Sequence, residues 1–464
     1  MLIISKNRAW IFYIYILIGL IFIFNITNIE SRKIYDYIIL LLSYFIVVGL
    51  FTITCVKGKV KFFEPYTIIS SLYICIMIIY PIYDYTRHNY LKEGIDVSNG
   101  CIKGTLIFIL SYIFFHLGYK STKINVQKKI KLFSEIDKMN NQIIYYISLI
   151  WWIVSFIACL YVQTSRGFSL SYIFSFGKNI SNIGEMKNSG VLFLINFGPT
   201  MVMSLILIWN YSRNRVVKIN ILILTLIYLF MRNGRWLVLI VSLAPIVYFS
   251  IKNNKEPSKK KILFLVICGM TILSIMQFVR GNIANHQSLV NTNLREIFSL
   301  ETYFAPLESD FSTYKAYYAI VEKMPSKLNY LYGEGMIGYT LALGIPRALW
   351  PTKPSAASVK VIAATLNERA VMNGQAYPNI GEFYSEFGII GCFVLMFLYG
   401  KISSKIKILC MQNSKSALIV YSCLWPFFFQ LTARIFSSNI YYMIFAMFPI
   451  VSLYLLRKIK NNYY

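Results

Sequence analysis

Long apolar runs separated by short polar segments repeat along the chain. A hydrocarbon core of about 30 Å takes roughly 17–25 mostly apolar residues per helix. Runs of that kind are centred near residues 17, 45, 74, 112, 152, 200, 225, 243, 270, 397, 425 and 447. The pattern predicts an all-α polytopic membrane protein of about twelve transmembrane helices. The seventh and eighth make a tight pair around Arg232-Asn233-Gly234-Arg235. The first run, Ala9 to Phe24, follows Lys6 and Arg8 as a signal sequence would. No small-residue cleavage site comes after it, so it reads as an uncleaved first span.

Composition agrees. Of 464 residues, 57% are hydrophobic and 14% charged, with a mean hydropathy of +0.57. A soluble domain has about 25% charged residues, so a soluble enzyme is excluded. The net charge of +27, from 46 Lys+Arg against 19 Asp+Glu, is informative only once it is divided between the two sides. With the N-terminus inside, the inner segments are the two termini, Lys57–Glu64, Lys120–Asn141, Tyr211–Lys218, Lys252–Lys261 and Lys401–Lys415. They hold 26 basic and 4 acidic residues, against 20 and 15 outside. Long translocated segments escape the positive-inside rule. Without 280–387, which carries 9 of each sign, the short segments compare 26 inside with 11 outside. This alternation places both termini in the cytoplasm. It also accounts for the basic clusters (Lys128-Lys129, Lys259-Lys260-Lys261, Arg457-Lys458) as membrane anchors, leaving no signal for nucleic acid.

Residues 280–387 form a large outer loop between a membrane domain of 1–279 and a second of 388–464. Tyr314, Tyr317, Tyr318 and Val321 stand at helical spacing in Phe311–Lys323, predicting an amphipathic helix. A second is predicted from Ser355 to about Val371, with Val359, Ile362 and Leu366 on one face. Between them, the three prolines of Gly344–Pro354 forbid a regular helix and predict a stiff turn presenting Arg347 and Lys353, with Trp350 at headgroup level. Another outer segment, Arg166–Lys187, is expected to lie flat on the membrane.

Candidate chemistry lies in basic residues on the outer side: Arg232, Arg235, Arg280, Arg347 and Arg434. Any one of them could snorkel or complement a helix dipole. Arg235 resists that reading, because it starts an outside-to-inside helix, where a cation is disfavoured. Arg434 sits in a very short turn between apolar spans, where charge is costly. Five guanidinium groups on one face suit a shared anionic ligand at headgroup depth, such as a lipid-linked pyrophosphate, which they can grip bidentately. Glu382 and Glu386, one turn apart in Gly381-Glu382-Phe383-Tyr384-Ser385-Glu386-Phe387-Gly388, lead into the tenth helix. They either complement that helix's dipole or supply a general base for a sugar hydroxyl. Glu308-Ser309-Asp310 is a second acidic choice. No metal or other cofactor is expected: the eight cysteines are scattered without a CxxC pair, His88, His116 and His286 are far apart in sequence, and no DxD occurs. Gly333, Gly335 and Gly338 lack the spacing of a phosphate loop.

The string Ile345-Pro346-Arg347-Ala348-Leu349-Trp350-Pro351-Thr352-Lys353-Pro354 resembles the oligosaccharide repeat-unit polymerases of the O-antigen polymerase (Wzy) type. The Gly381–Gly388 segment, the Arg232–Arg235 hairpin and Arg434 support the likeness. The resemblance implies a GT-C-like membrane glycosyltransferase in the bacterial cytoplasmic (inner) membrane, serving lipopolysaccharide or another surface polysaccharide. The growing glycan on undecaprenyl pyrophosphate would be the donor and a lipid-linked repeat unit the acceptor, joined at an extracytoplasmic site. A Wzz-type chain-length co-polymerase and a flippase would be its partners. By motif and position it makes Arg235, Arg347 and Glu382 catalytic, with Arg232, Arg280, Lys353, Tyr384, Glu386 and Arg434 contacting substrate. A polysaccharide ligase would share this chemistry but give one transfer product instead of a ladder; a flippase would be expected to show repeats and mid-span charge.

Overall fold

The computed structural model describes residues 9–57, 60–122, 131–164, 194, 196–231, 235–254, 308, 310–343, 345, 349–350, 357–372, 374–411 and 414–462, with isolated positions between 258 and 275. Among these residues, six helices are long and apolar enough to cross a membrane: Ser31–Val56, Pro65–Thr86, Ser98–Ser121, Asn141–Val162, Asn379–Ile406 and Lys415–Ala433. The pair Phe436–Ala446 and Phe448–Lys460, bent by 43°, makes a seventh if counted as one span. Shorter helices, Ala9–Phe24, Gly198–Tyr211, Arg215–Met231 and Arg235–Lys252, complete the apolar set. Helix covers or abuts every expected centre but that near 270, where only isolated positions are described. Among the described residues the regular structure is helical apart from one antiparallel hairpin, in which Leu91 pairs with Asp96 and Lys92 with Ile95.

Two hydrophobic cores sit side by side. The first is built from Ser31–Val56, Pro65–Thr86, Ser98–Ser121 and Asn379–Ile406, with Leu40, Tyr73, Phe108 and Met396 fully buried. The second surrounds Gly198–Tyr211, where Met201, Leu207 and Ile208 pack against Trp152, Leu237 and Ile450. Lys415–Ala433 belongs to both: Phe428 and Leu431 face the first core, Tyr421 and Phe427 the second.

The tightest crossing in the first core depends on glycine. A Cβ on Gly118 would stand 2.0 Å from the Phe397 carbonyl oxygen, and one on Gly400 2.1 Å from that of Phe115. Where lipid removes the hydrophobic drive between helices, close backbone approach through small residues supplies the attraction.

The polar segments sort to opposite ends of the bundle as the alternation requires. At one end Lys407 pairs with Glu64 (2.7 Å), the Ser416 N–H donates to Asp137 (3.0 Å), and Lys415 Nζ donates to the Asn210 carbonyl (3.0 Å). These residues come from the lysine-rich segments or, as Asn210 and Ser416 do, directly flank them, which makes this the basic end. At the other end Lys103 Nζ donates to the Val321 carbonyl (3.0 Å) and Asn367 to that of Glu93 (3.1 Å).

The described part of 280–387 does not stand apart as a subdomain. Helix Thr313–Lys323 carries the tyrosines at the expected spacing, yet every residue from Thr313 to Val321 is buried, so it has no solvated face. It is wedged among the spans: the Tyr317 hydroxyl donates to the Gly104 carbonyl (2.9 Å), and the Tyr314 hydroxyl to Asp84 (2.7 Å). Lys315, 3% exposed, is tolerated inside because Asp84, 2% exposed, lies 3.0 Å away; buried charges survive when paired. The second loop helix appears as Ala357–Thr365 followed by Glu368–Met372. Ile362 and Leu366 are buried as expected, whereas Val359 is exposed and Val361 takes the inward position. The boundary placed at 387/388 falls within Asn379–Ile406, which does not run straight: Gly388 breaks it with φ +65°, against the Tyr330 ring. Arg166–Lys187 lies outside the described residues.

Candidate functional site

Where the two cores meet, opposite the basic end, a cleft of ≈ 350 Å³ opens. Trp236 and Leu239 line it from Arg235–Lys252, Phe429 and Gln430 from the top of Lys415–Ala433, and Asn439 and Tyr442 from the next helix. Gln375 and Ala376 close it on the approach to Asn379, and Asp310 does so just before the buried loop helix. Its size falls within the ~300–1,000 Å³ of ligand pockets.

Arg434 stands in this cleft because the chain must turn there. The helix Phe427–Ala433 ends at Arg434, whose backbone is extended, and the next helix starts at Phe436. The short turn leaves the long side chain nowhere to go but into the seam. Arg434 Nη2 pairs with Asp310 Oδ1 at 2.5 Å. The remaining guanidinium N–H groups meet no acceptor among the described residues, and a guanidinium has five to offer. Arg434 is thus oriented by one carboxylate and free to grip an anion with the rest of its fork.

Glu382 performs a task that spacing alone did not show. Its carboxylate, 3% exposed, accepts the N–H groups of both Phe436 and Ser437, the latter at 3.1 Å. It caps the helix immediately after Arg434, a helix other than its own, where the exposed amides and dipole favour negative charge. It is therefore one helix start removed from the cleft. Glu386, fully buried, does the same elsewhere: Oε2 accepts the Gly333 N–H at 2.8 Å, while Oε1 rests where a Cβ on Gly335 would stand, 2.2 Å away. Tyr384, also fully buried, donates to the Met324 carbonyl at 3.3 Å. Glu386 and Tyr384, expected to touch substrate, do not line the cleft and are committed to the loop strapped across the first core.

Arg235 begins the helix whose second residue, Trp236, lines the cleft. Arg232, Arg280, Arg347 and Lys353 lie outside the described residues. Trp236, Gln430 and Asn439 went unnoticed in sequence, although a Gln and an Asn inside apolar spans are a usable signal for a polar cavity. Asn439 Nδ2 donates to the Ile435 carbonyl at 2.6 Å, and Trp236 packs on Phe427 and Tyr442 with centroids 5.8 and 5.3 Å apart.

Helices whose starts are capped by buried carboxylates, around an arginine-bearing cleft at one end of a bundle of apolar helices, define a multi-pass membrane protein with a polar cleft. The family model for the O-antigen polysaccharide polymerase Wzy matches residues 10–462. The chain belongs to that family. It is 24% identical over 319 residues to the O-antigen polymerases of Salmonella typhimurium strain LT2 and Salmonella typhi, an alignment covering 65% of this chain and 69% of each relative. No solved structure matches it.

Proposed function

We propose that the protein polymerises lipid-linked oligosaccharide repeat units on the outer face of the bacterial cytoplasmic membrane. The growing glycan on undecaprenyl pyrophosphate is the donor and an incoming lipid-linked unit the acceptor. The observation that carries this reading is Arg434, held by Asp310 at the mouth of the cleft in a chain of the O-antigen polymerase family. The basic end then faces the cytoplasm, with both termini. A Wzz-type chain-length co-polymerase and a flippase act beside it.

In this reaction the bond from the anomeric carbon to the pyrophosphate oxygen breaks, and a bond from the acceptor hydroxyl oxygen to that carbon forms. Undecaprenyl pyrophosphate departs with the bonding electrons. Guanidinium groups fixed in advance stabilise the charge growing on it more in the transition state than in the ground state. Arg434 supplies one; Arg235, Arg232, Arg280 and Arg347, with Lys353, supply the others. The hydroxyl proton goes to a carboxylate. Asp310 lines the cleft itself, so it takes that role in this reading, and Glu382 positions Arg434 through the Phe436 helix.

Deletion of the gene, complemented by variants, tests the proposal through gel analysis of surface glycan. Wild type restores a ladder of chain lengths, whereas Arg434→Lys, at normal abundance, leaves mostly the single-repeat product. A wild-type ladder from Arg434→Lys would remove the arginine mechanism. A single transfer product from the wild-type protein would point to a ligase.

A further inference from the structure

The cleft holds more than its arginine. Gln430 lies within the apolar span Lys415–Ala433 and is 6% exposed, yet its side-chain amide makes no hydrogen bond among the described residues. The amide is not sealed inside the bundle, so it opens onto the cleft that Gln430 lines. The Gln430 backbone carbonyl, by contrast, is occupied: it accepts the Arg434 N–H at 3.1 Å and Asn439 Nδ2 at 3.4 Å. One carbonyl thus ties Gln430, Arg434 and Asn439 to a single corner. Asn439, 5% exposed, commits Nδ2 to that carbonyl and to Ile435, leaving Oδ1 without a donor among the described residues.

Uncharged amide groups left unpaired in so buried a place are costly unless a ligand completes them. An amide both donates and accepts, as a hydroxyl does, so the pair suits a polyhydroxylated ligand better than an anion. Trp236 and Tyr442 line the same cleft, with ring centroids 5.3 Å apart and planes inclined by 41°. Aromatic faces of this kind take the C–H side of a pyranose ring, and a few placed polar groups among such walls fix its orientation. A polyprenyl tail would leave both amides unsatisfied, which rules it out as the occupant. Gln430 precedes Arg434 by about one helical turn, roughly 5–6 Å. A pyrophosphate on Arg434 therefore brings the sugar bonded to it beside Gln430.

We propose that Gln430, Asn439, Trp236 and Tyr442 form a subsite for a neutral pyranose, the sugar bonded directly to the pyrophosphate of the lipid-linked donor. Gln430 is its specificity-determining residue. The assignment rests on the polymerase reading for the identity of the lipid, and deepens it by giving the cleft a preference for sugar.

Microscale thermophoresis of the full chain in nanodiscs tests it with three probes. They are the undecaprenyl-pyrophosphate-linked repeat unit extracted from a gene-deleted strain, undecaprenyl pyrophosphate carrying the first sugar alone, and undecaprenyl pyrophosphate itself. Gln430→Met, of like length, weakens binding of both sugar-bearing lipids about tenfold, the scale of two neutral hydrogen bonds, and leaves undecaprenyl pyrophosphate unchanged. Trp236→Leu weakens the same two about fivefold. The Gln430→Met protein melts no lower than wild type, because the amide has no hydrogen bond to lose among the described residues; Gln430→Leu repeats the measurement if that variant accumulates poorly. Equal weakening of all three probes, no weakening by either Gln430 variant, or weakening confined to the full repeat unit overturns the subsite. Arg434→Ala weakens all three. If it weakens none while Gln430→Met still discriminates, the arginine mechanism falls and the sugar subsite stands. If wild type binds none of the probes, both fall.

Discussion

The two ends of the bundle share close backbone approach at glycine, including Gly100 against the Tyr318 carbonyl at the cleft end, but differ in how their carboxylates are used. At the basic end Gly118 and Gly400 let two spans touch, Lys407 meets Glu64 and the Ser416 N–H meets Asp137. At the cleft end, helix starts are anchored by buried carboxylates, Glu382 on Phe436 and Glu386 on Gly333, and a lysine is buried against Asp84. Packing through glycine gives a firm join with no polar groups to satisfy. Anchoring through carboxylates is costlier to bury, yet it fixes chain turns at defined angles, which a cleft for a charged substrate requires. The basic end therefore serves as the scaffold and the cleft end as the device.

The largest effect should come from breaking the scaffold. Gly118→Leu drives a side chain into the Phe397 carbonyl and costs on the order of 3 kcal/mol or more; little folded protein should accumulate on a fluorescence size-exclusion trace. Breaking the device leaves the protein present and removes its activity. Arg434→Ala should lower the transfer rate with lipid-linked repeat units about 10²-fold, the scale for removing a preorganised charge donor. Arg434→Lys should cost more than about tenfold, or about 1.4 kcal/mol, since ammonium cannot reproduce the fork.

Glu382 sharpens the contrast further. Glu382→Ala leaves the Phe436 and Ser437 N–H groups buried without a partner, a penalty of about 1–3 kcal/mol each, seen as a lower melting midpoint. Glu382→Gln keeps an acceptor oxygen and should retain a glycan ladder, whereas Asp310→Asn should lose it. The opposite pattern would make Glu382 the base.

The smallest effect is expected at Asp96, in the hairpin at the cleft end. Burial raises its pKa, but the Ser98 N–H and hydroxyl, at 2.8 and 2.6 Å, outweigh that and hold it below the usual range. A depressed carboxylate contributes stability above the unfolded value of about 3.9 and loses it as pH falls through the folded one. Asp96→Asn should therefore cost less than about 1 kcal/mol at neutral pH, and the difference from wild type should vanish in melts at acid pH.

Sequence reasoning reached the all-helical, multi-pass character of the chain, because a lipid solvent imposes length and apolarity on each span separately. The helices at Ser98–Ser121 and Asn379–Ile406, the gathering of lysine-rich segments at one end and the helical tyrosines of 313–321 were all legible for that reason. Arg434 could be singled out because charge between apolar spans has few inexpensive explanations. The same local reasoning took the loop helix as amphipathic, whereas Lys315 lies buried and is neutralised by Asp84, 231 positions earlier. It also left Glu382 between two roles, since the helix that Glu382 caps begins 54 residues downstream.

What the sequence by itself determined is thus the solvent each segment must live in: apolar helices and the basic character of the segments between them follow from hydropathy and composition and need no partner. Only the tertiary structure decided the pairings, Arg434 with Asp310 and Glu382 with the Phe436 helix. A charged group buried in a bundle is stable only through the particular group opposite it, and chain spacing does not encode which distant segment that is.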